Sequence, residues 1–219
     1  MSQSPDLPTY YARRAQEYEC VYAKPERQEE LAKLKELLPQ WLAGEDVLEI
    51  ACGTGYWTQF IAKQAHSILA TDLNDEVLVI ASSKEYPADR VRFARADAFR
   101  LAEVEGTFSA VFAGFWWSHV PKGRRGEFLQ AVRARLRPGG LVVLVDNQYV
   151  AGSCSPMSTH VDTGGNTYSQ RQLEDGSTWD VLKNFPTEDE LRRDLSAIAE
   201  DVEYGAMNYY WLAKCHVPD

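Results

Sequence analysis

Val47 to Phe60 reads VLEIACGTGYWTQF, an apolar run that breaks on two glycines one residue apart and restarts with helical character. A short apolar run of this kind is a buried strand, and a glycine-rich corner opening directly into a helix places that strand inside a layered α/β fold. The succession continues downstream. Asp46–Ala51, Ser67–Asp72, Val91–Asp97, Phe108–Phe115 and Leu141–Asn147 read as strands, the last following an RPGG turn at Arg137–Gly140. Tyr56–Gln64, Asp75–Ser83 and Arg124–Leu136 read as helices between them. Strands and helices in alternation imply parallel strands joined by right-handed crossovers, hence a doubly wound sheet with helices on both faces.

The segments around this core differ in texture. Met1–Pro8 is polar with two prolines and is expected to be loose. Glu26–Pro39 spaces Leu31, Leu34, Leu37 and Leu38 as an amphipathic helix stopped by Pro39. After Asn147 the chain becomes rich in Gly, Ser and Thr without period, and an Asp175-Gly176 turn between alternating segments signals a hairpin. Residues 147–185 therefore form an inserted loop and hairpin expected to fold over a binding site. A helix over Thr187–Ala199 and two strand-like runs, 201–206 and 208–217, close the chain. The 219 residues are expected to form one domain, with 1–40 as a helical cap.

A net charge of −9 sets a field that repels polyanions, so nucleic acid is not an expected partner. The basic run Arg124–Arg137 reads as the solvated side of a helix. Cys20, Cys52, Cys154 and Cys215 are far apart with no CxxC pair, so neither a zinc site nor a disulfide framework is expected. No apolar leader or membrane-length segment is visible, and a cytoplasmic location is expected. The oligomeric state is not legible.

In an open parallel sheet, ligands bind beyond the carboxyl ends of the strands, where Gly53 and Gly55 fall. A dinucleotide fingerprint requires a third glycine, but Thr58 stands there, and the P-loop lysine is missing. Glu49, just before the turn, would oppose a pyrophosphate and suits a sulfonium or ammonium group. Asp72 and Asp97 close the next two strands, where one carboxylate can accept ribose hydroxyls and the other can meet an adenine amino group. Helix capping or turn formation is the alternative use of both.

With VLEIACGTG, ATD at Asp72, ADAF at Asp97, FSAVFAGFWW and the LRPGG turn in this order, the chain resembles the class I S-adenosylmethionine-dependent methyltransferases from about Tyr10 to its end. The resemblance implies a Rossmann-like, seven-stranded, three-layer α/β/α sheet with an antiparallel edge strand, and S-adenosyl-L-methionine as cofactor. It implies cofactor contacts at Tyr11, Glu49, Ala51, Gly53, Gly55, Trp57, Asp72, Leu73, Asp97, Ala98 and Gly114. Ala51 departs from the family's usual glycine, and a positive φ there would be strained.

The methyl group would point toward GFWWSHVP at the end of the fourth strand. His119 is the candidate catalytic residue, as a base or as an orienting group. Tyr10, Trp116, Trp117, Asn147, Tyr149, Tyr168 and Trp179 are candidate substrate contacts, with ordinary packing as the alternative for each aromatic. The expected activity is methylation of an N or O atom of a small molecule. Methylation of RNA or protein and a non-catalytic cofactor-binding role are the competing readings.

Overall fold

The computed structural model describes residues 7–219. The core strands are β1 (Asp46–Ile50), β2 (Ser67–Asp72), β3 (Val91–Arg95), β4 (Phe108–Gly114) and β5 (Leu136–Asn147). An insertion carries β6 (Met157–Val161), β7 (Thr167–Gln172) and β8 (Thr178–Leu182), and β9 (Val202–Ala206) and β10 (Tyr210–His216) finish the chain. The main sheet has the order β3-β2-β1-β4-β5-β10-β9, and β6-β7-β8 form a second, antiparallel sheet. Neighbours from β3 through β5 pair in parallel, whereas β10 is antiparallel to both β5 and β9. The expected seven-stranded sheet with an antiparallel edge is the one observed.

Among the described residues six α-helices accompany the strands: α1 (Leu7–Arg14), α2 (Gln28–Trp41), α3 (Thr58–Ile61), α4 (Asp75–Ser82), α5 (Arg125–Arg133) and α6 (Glu188–Leu195). Alternation along the strands sends side chains into two cores. Leu48, Val111, Val142 and Leu144 join Phe128 and Leu129 of α5 and Leu191 of α6 on one face. Val47, Phe112, Val143 and Val145 join Leu31, Leu34 and Leu38 of α2 on the other. Period-two alternation in buried strands thus produces the three layers.

Several boundaries differ from the sequence reading. The expected looseness of Met1–Asp6 lies outside the described residues, while Leu7 and Pro8 already belong to α1. Pro39 sits inside α2, which continues to Trp41. A proline in the last turn forfeits only one N–H bond, and the Leu42 amide still donates to the Leu38 carbonyl (3.2 Å). The RPGG segment lies within β5 as a bulge, where pairing jumps from Phe108–Leu136 to Ala110–Leu141. β6 has no sequence period because both of its faces are largely solvated. Thr187 caps α6: its hydroxyl accepts the Glu190 N–H (3.2 Å), while the Glu190 carboxylate accepts the Thr187 N–H (3.1 Å). Arg125 corrects the solvated reading of its run, since it is buried and paired with Asp194 at 2.8 Å.

Candidate active site

Strand order reverses beside β1, which has β2 on one side and β4 on the other, so a crevice opens beyond their carboxyl ends. The loops after β1, β2, β3 and β4 line a cavity there, with Pro8 and Tyr11 of α1 above it. Tyr11, Ala51, Gly53, Asp72, Leu73, Asp97, Ala98 and Gly114 all border this cavity, together with Val77, Phe99 and Trp116. Flat apolar walls with carboxylates at two strand ends suit a nucleoside.

The Asp72 carboxylate is fixed by backbone donors: Oδ2 accepts the Gly53 N–H and Oδ1 the Asn74 N–H, each at 3.0 Å. These bonds tie the ends of β1 and β2 together and leave each oxygen a further lone pair for a hydroxyl. Burial, opposed by those amides, raises its pKa above the ordinary carboxylate range. Asp97 Oδ1 accepts the Phe99 N–H at 2.8 Å, which shapes the turn after β3. Both acids therefore make turns and border the cavity at once.

Three of the expected cofactor contacts sit behind the cavity wall. Gly55, at φ +74°, faces α4: a Cβ there would meet Ala81 Cβ at 3.1 Å and Tyr86 Oη at 2.5 Å. Trp57 stacks on Phe115 (centroids 5.8 Å) and donates its indole N–H to Tyr22 Oη (3.1 Å), so packing accounts for it. Glu49 is 2% exposed, and its Oε2 has no hydrogen-bond partner. Burial pushes its carboxyl up to about 8, with Asp72 adding to the shift.

His119 lies on the rim after β4, shared between this cavity and an adjoining chamber. Its Nδ1 donates to the Leu182 carbonyl (2.6 Å), so in the neutral ring Nε2 accepts the Tyr11 hydroxyl (2.8 Å). Burial first, then the positive Lys183 and Arg171, hold its pKa well below the usual histidine value. The ring is an uncharged acceptor at neutral pH.

The expected substrate residues divide. Trp116 borders the strand-end cavity and Asn147 the chamber. Trp117 is wholly buried in the core beside Phe128. Tyr10 and Trp179 pack against each other at 5.8 Å and fasten α1 to the insertion. Tyr149 is 49% exposed against Phe185, and the Tyr168 hydroxyl donates to Asp162 (3.0 Å) within the insertion. Trp117 thus packs in the core, Tyr10 and Trp179 between the cap and the insertion, and Tyr149 and Tyr168 away from both spaces.

Missed by sequence were Tyr18 and Phe115, which border both spaces, and the chamber's basic residues Arg14, Lys24, Arg27, Arg171 and Lys183. The one available signal was lysine inside an apolar run, as in VLKNF around Lys183.

A family model described as a methyltransferase domain matches residues 47–140. A demethylmenaquinone methyltransferase of Clavibacter sepedonicus is 31% identical over 105 residues, which is 48% of this chain and 42% of that protein. The match thus spans under half the length of that curated relative. Among solved structures, a DhpI–SAH complex aligns with a TM-score of 0.78 at 28% identity, covering 96% of this chain and 94% of that one. A DhpI–SAM–HEP complex aligns with a TM-score of 0.76 at 28% identity, covering 94% of each chain.

Proposed function

We propose that this chain, a class I S-adenosylmethionine-dependent methyltransferase, moves the methyl group of that cofactor to an N or O atom of a small-molecule acceptor. The observation that carries the reading is the cavity at the strand-order reversal, bordered by Asp72 and Asp97 at successive strand ends. It lies largely within the segment that the methyltransferase model matches, in a chain similar over 96% of its length to a protein solved with SAH.

Asp72 would hold the ribose hydroxyls, Asp97 and Ala98 the adenine edge, and Leu73, Phe99 and Trp116 its faces. Ala51 and Gly53 would lie under the methionine part. The cofactor supplies an electrophilic methyl on a sulfonium, so the protein's work is alignment and exclusion of water. The cap, described from Leu7 onward, and the insertion over 147–185 belong to the same reading as parts of one domain, since Tyr11 and Arg171 reach the chamber from them. A cytoplasmic setting belongs to the same proposal; among the described residues no helix is long and apolar enough to cross a membrane.

Calorimetry of the full chain with S-adenosylhomocysteine tests the proposal. Saturable one-to-one binding is expected, and Asp72→Ala should weaken it by about 1.5–3 kcal/mol, the range for hydrogen bonds to a charged group. Absence of binding would overturn the reading, and unchanged affinity in the variant would remove the ribose from Asp72.

A further inference from the structure

Next to the cofactor cavity, and sharing Tyr11 and His119 with it, the cap and the insertion enclose the second chamber. We infer that this chamber selects an acceptor that is an oxyanion, a carboxylate or a tetrahedral phosphate-like acid, and that the anionic oxygen itself takes the methyl group. This depends on the methyl transfer proposed above and narrows its acceptor.

Arg14, Lys24, Arg27, Arg171 and Lys183 border the chamber and, among the described residues, no Asp or Glu does, in a chain with 32 acidic and 23 basic residues. Of the five, only Lys183 has a carboxylate partner among the described residues, Asp146 at 3.0 Å. The other four are held by neutral groups. Arg14 donates to Tyr10 Oη (3.0 Å), and Lys24 donates to the Ser153 carbonyl. Arg27, 5% exposed, donates to Ser153 Oγ (2.9 Å) and Asn147 Oδ1 (2.8 Å). Arg171 reaches the Tyr11 hydroxyl only at 3.5 Å, and its Nε is buried with no partner. The exposed Glu26 accepts the Ser153 hydroxyl (2.7 Å) and does not border the chamber.

Arg27 is buried and Arg14, Lys24 and Arg171 are half-buried; cations even partly withdrawn from water without a counter-charge are costly, so four of them converging on one space call for an anion. The same field repels an ammonium acceptor. His119 fits this assignment, because its Nε2 is taken by Tyr11 and the uncharged ring is not free to remove a proton. An oxyanion arrives already deprotonated. Its oxygen gives a lone pair to the methyl carbon, the O–C bond forms as the methyl–sulfur bond breaks, and that bond's electron pair stays on sulfur. The acceptor's negative charge and the sulfonium's positive charge cancel, and no proton moves.

The test is calorimetry on the full chain saturated with S-adenosylhomocysteine, titrated with inorganic phosphate and, separately, acetate at fixed ionic strength. One of the two should bind saturably, which distinguishes a tetrahedral from a planar acid. Arg171→Gln and Lys24→Gln should each weaken it by about tenfold, a loss of about 1.4 kcal/mol. Arg171→Lys should recover part of the affinity, and S-adenosylhomocysteine affinity should change far less in all three. Saturable binding of neither anion, or equal binding in wild type and both Gln variants, would overturn the oxyanion assignment while leaving the cofactor reading intact. If S-adenosylhomocysteine itself fails to bind, the methyltransferase reading falls, and the same titrations on the free chain still decide the anion site. Mass spectrometry of a mixed acid and amine panel supplies the product, with a methyl ester expected and a methylated amine contradicting it.

Discussion

Two residues of the first corner carry opposite kinds of strain. Ala51 adopts φ +54°, the left-handed conformation that costs an L-residue about 1–2 kcal/mol, as the sequence reading anticipated for a departure from glycine. Glu49 stores its cost in solvation instead. Its carboxyl, pushed by burial to about 8 from 4.5, keeps a proton in the folded state that the unfolded chain has released. The unfolded state therefore binds fewer protons across this window, so this residue's contribution to stability falls as pH rises from about 4.5 to about 8 and is level above it. Glu49→Gln removes that slope. Urea unfolding between about pH 5 and pH 8 should show wild type losing about 3–4 kcal/mol relative to the variant, at 1.36 kcal/mol per unit of pKa. Parallel losses in the two proteins would show that Glu49 ionises freely.

Among the elements, the insertion is fastened to the core by one buried ion pair. Lys183, just past β8, donates to Asp146 Oδ1 (3.0 Å) on β5 and to Ser118 Oγ (2.6 Å) after β4. Burial raises the Asp146 carboxyl's pKa, but the Lys183 charge and the amides of Ser118 and Asn147 prevail and hold it below the ordinary range. Removing one partner of such a pair strands the other, so Lys183→Met should cost about 3–5 kcal/mol in chemical denaturation. A loss under about 1 kcal/mol would mean that water reaches Asp146 in the variant, and that the pair does not hold the insertion. At the far end of the same insertion, Tyr10 and Trp179 supply an apolar fastening to α1, joined by Leu173 and Val181. A small sheet needs an apolar face or a helix to pack against, and these two attachments give this one a fixed seat over the site.

Across the whole molecule, one chain of hydrogen bonds runs from the cap through the core to the insertion: Tyr11 on α1, His119 after β4 and the Leu182 carbonyl at the end of β8. Tyr11→Phe leaves the His119 acceptor buried without a donor, a cost of about 1–3 kcal/mol. Hydrogen exchange should then quicken in Leu7–Arg14 and Thr178–Leu182 together, whereas unchanged protection in both would show that packing alone seats the roof. How much of this was legible follows from where each signal resides. The order of strands and helices, the corner at Gly53 and the acids at Asp72 and Asp97 could be read directly, because periodicity and strand-end position are properties of consecutive residues. Pro39 and the RPGG bulge were misread because neighbouring burial overrode their local preference. Which of the aromatics reach the cavity, as Tyr11 and Trp116 do, and which pack elsewhere, as Trp117 and Trp179 do, was not legible because residue type does not say which face a ring packs on. The sequence by itself determined the doubly wound sheet and the place of its crevice. The tertiary structure alone decided that Arg14, Lys24, Arg27, Arg171 and Lys183 meet in one chamber, because cations far apart in a net acidic chain converge only when the cap and the insertion close over the same rim.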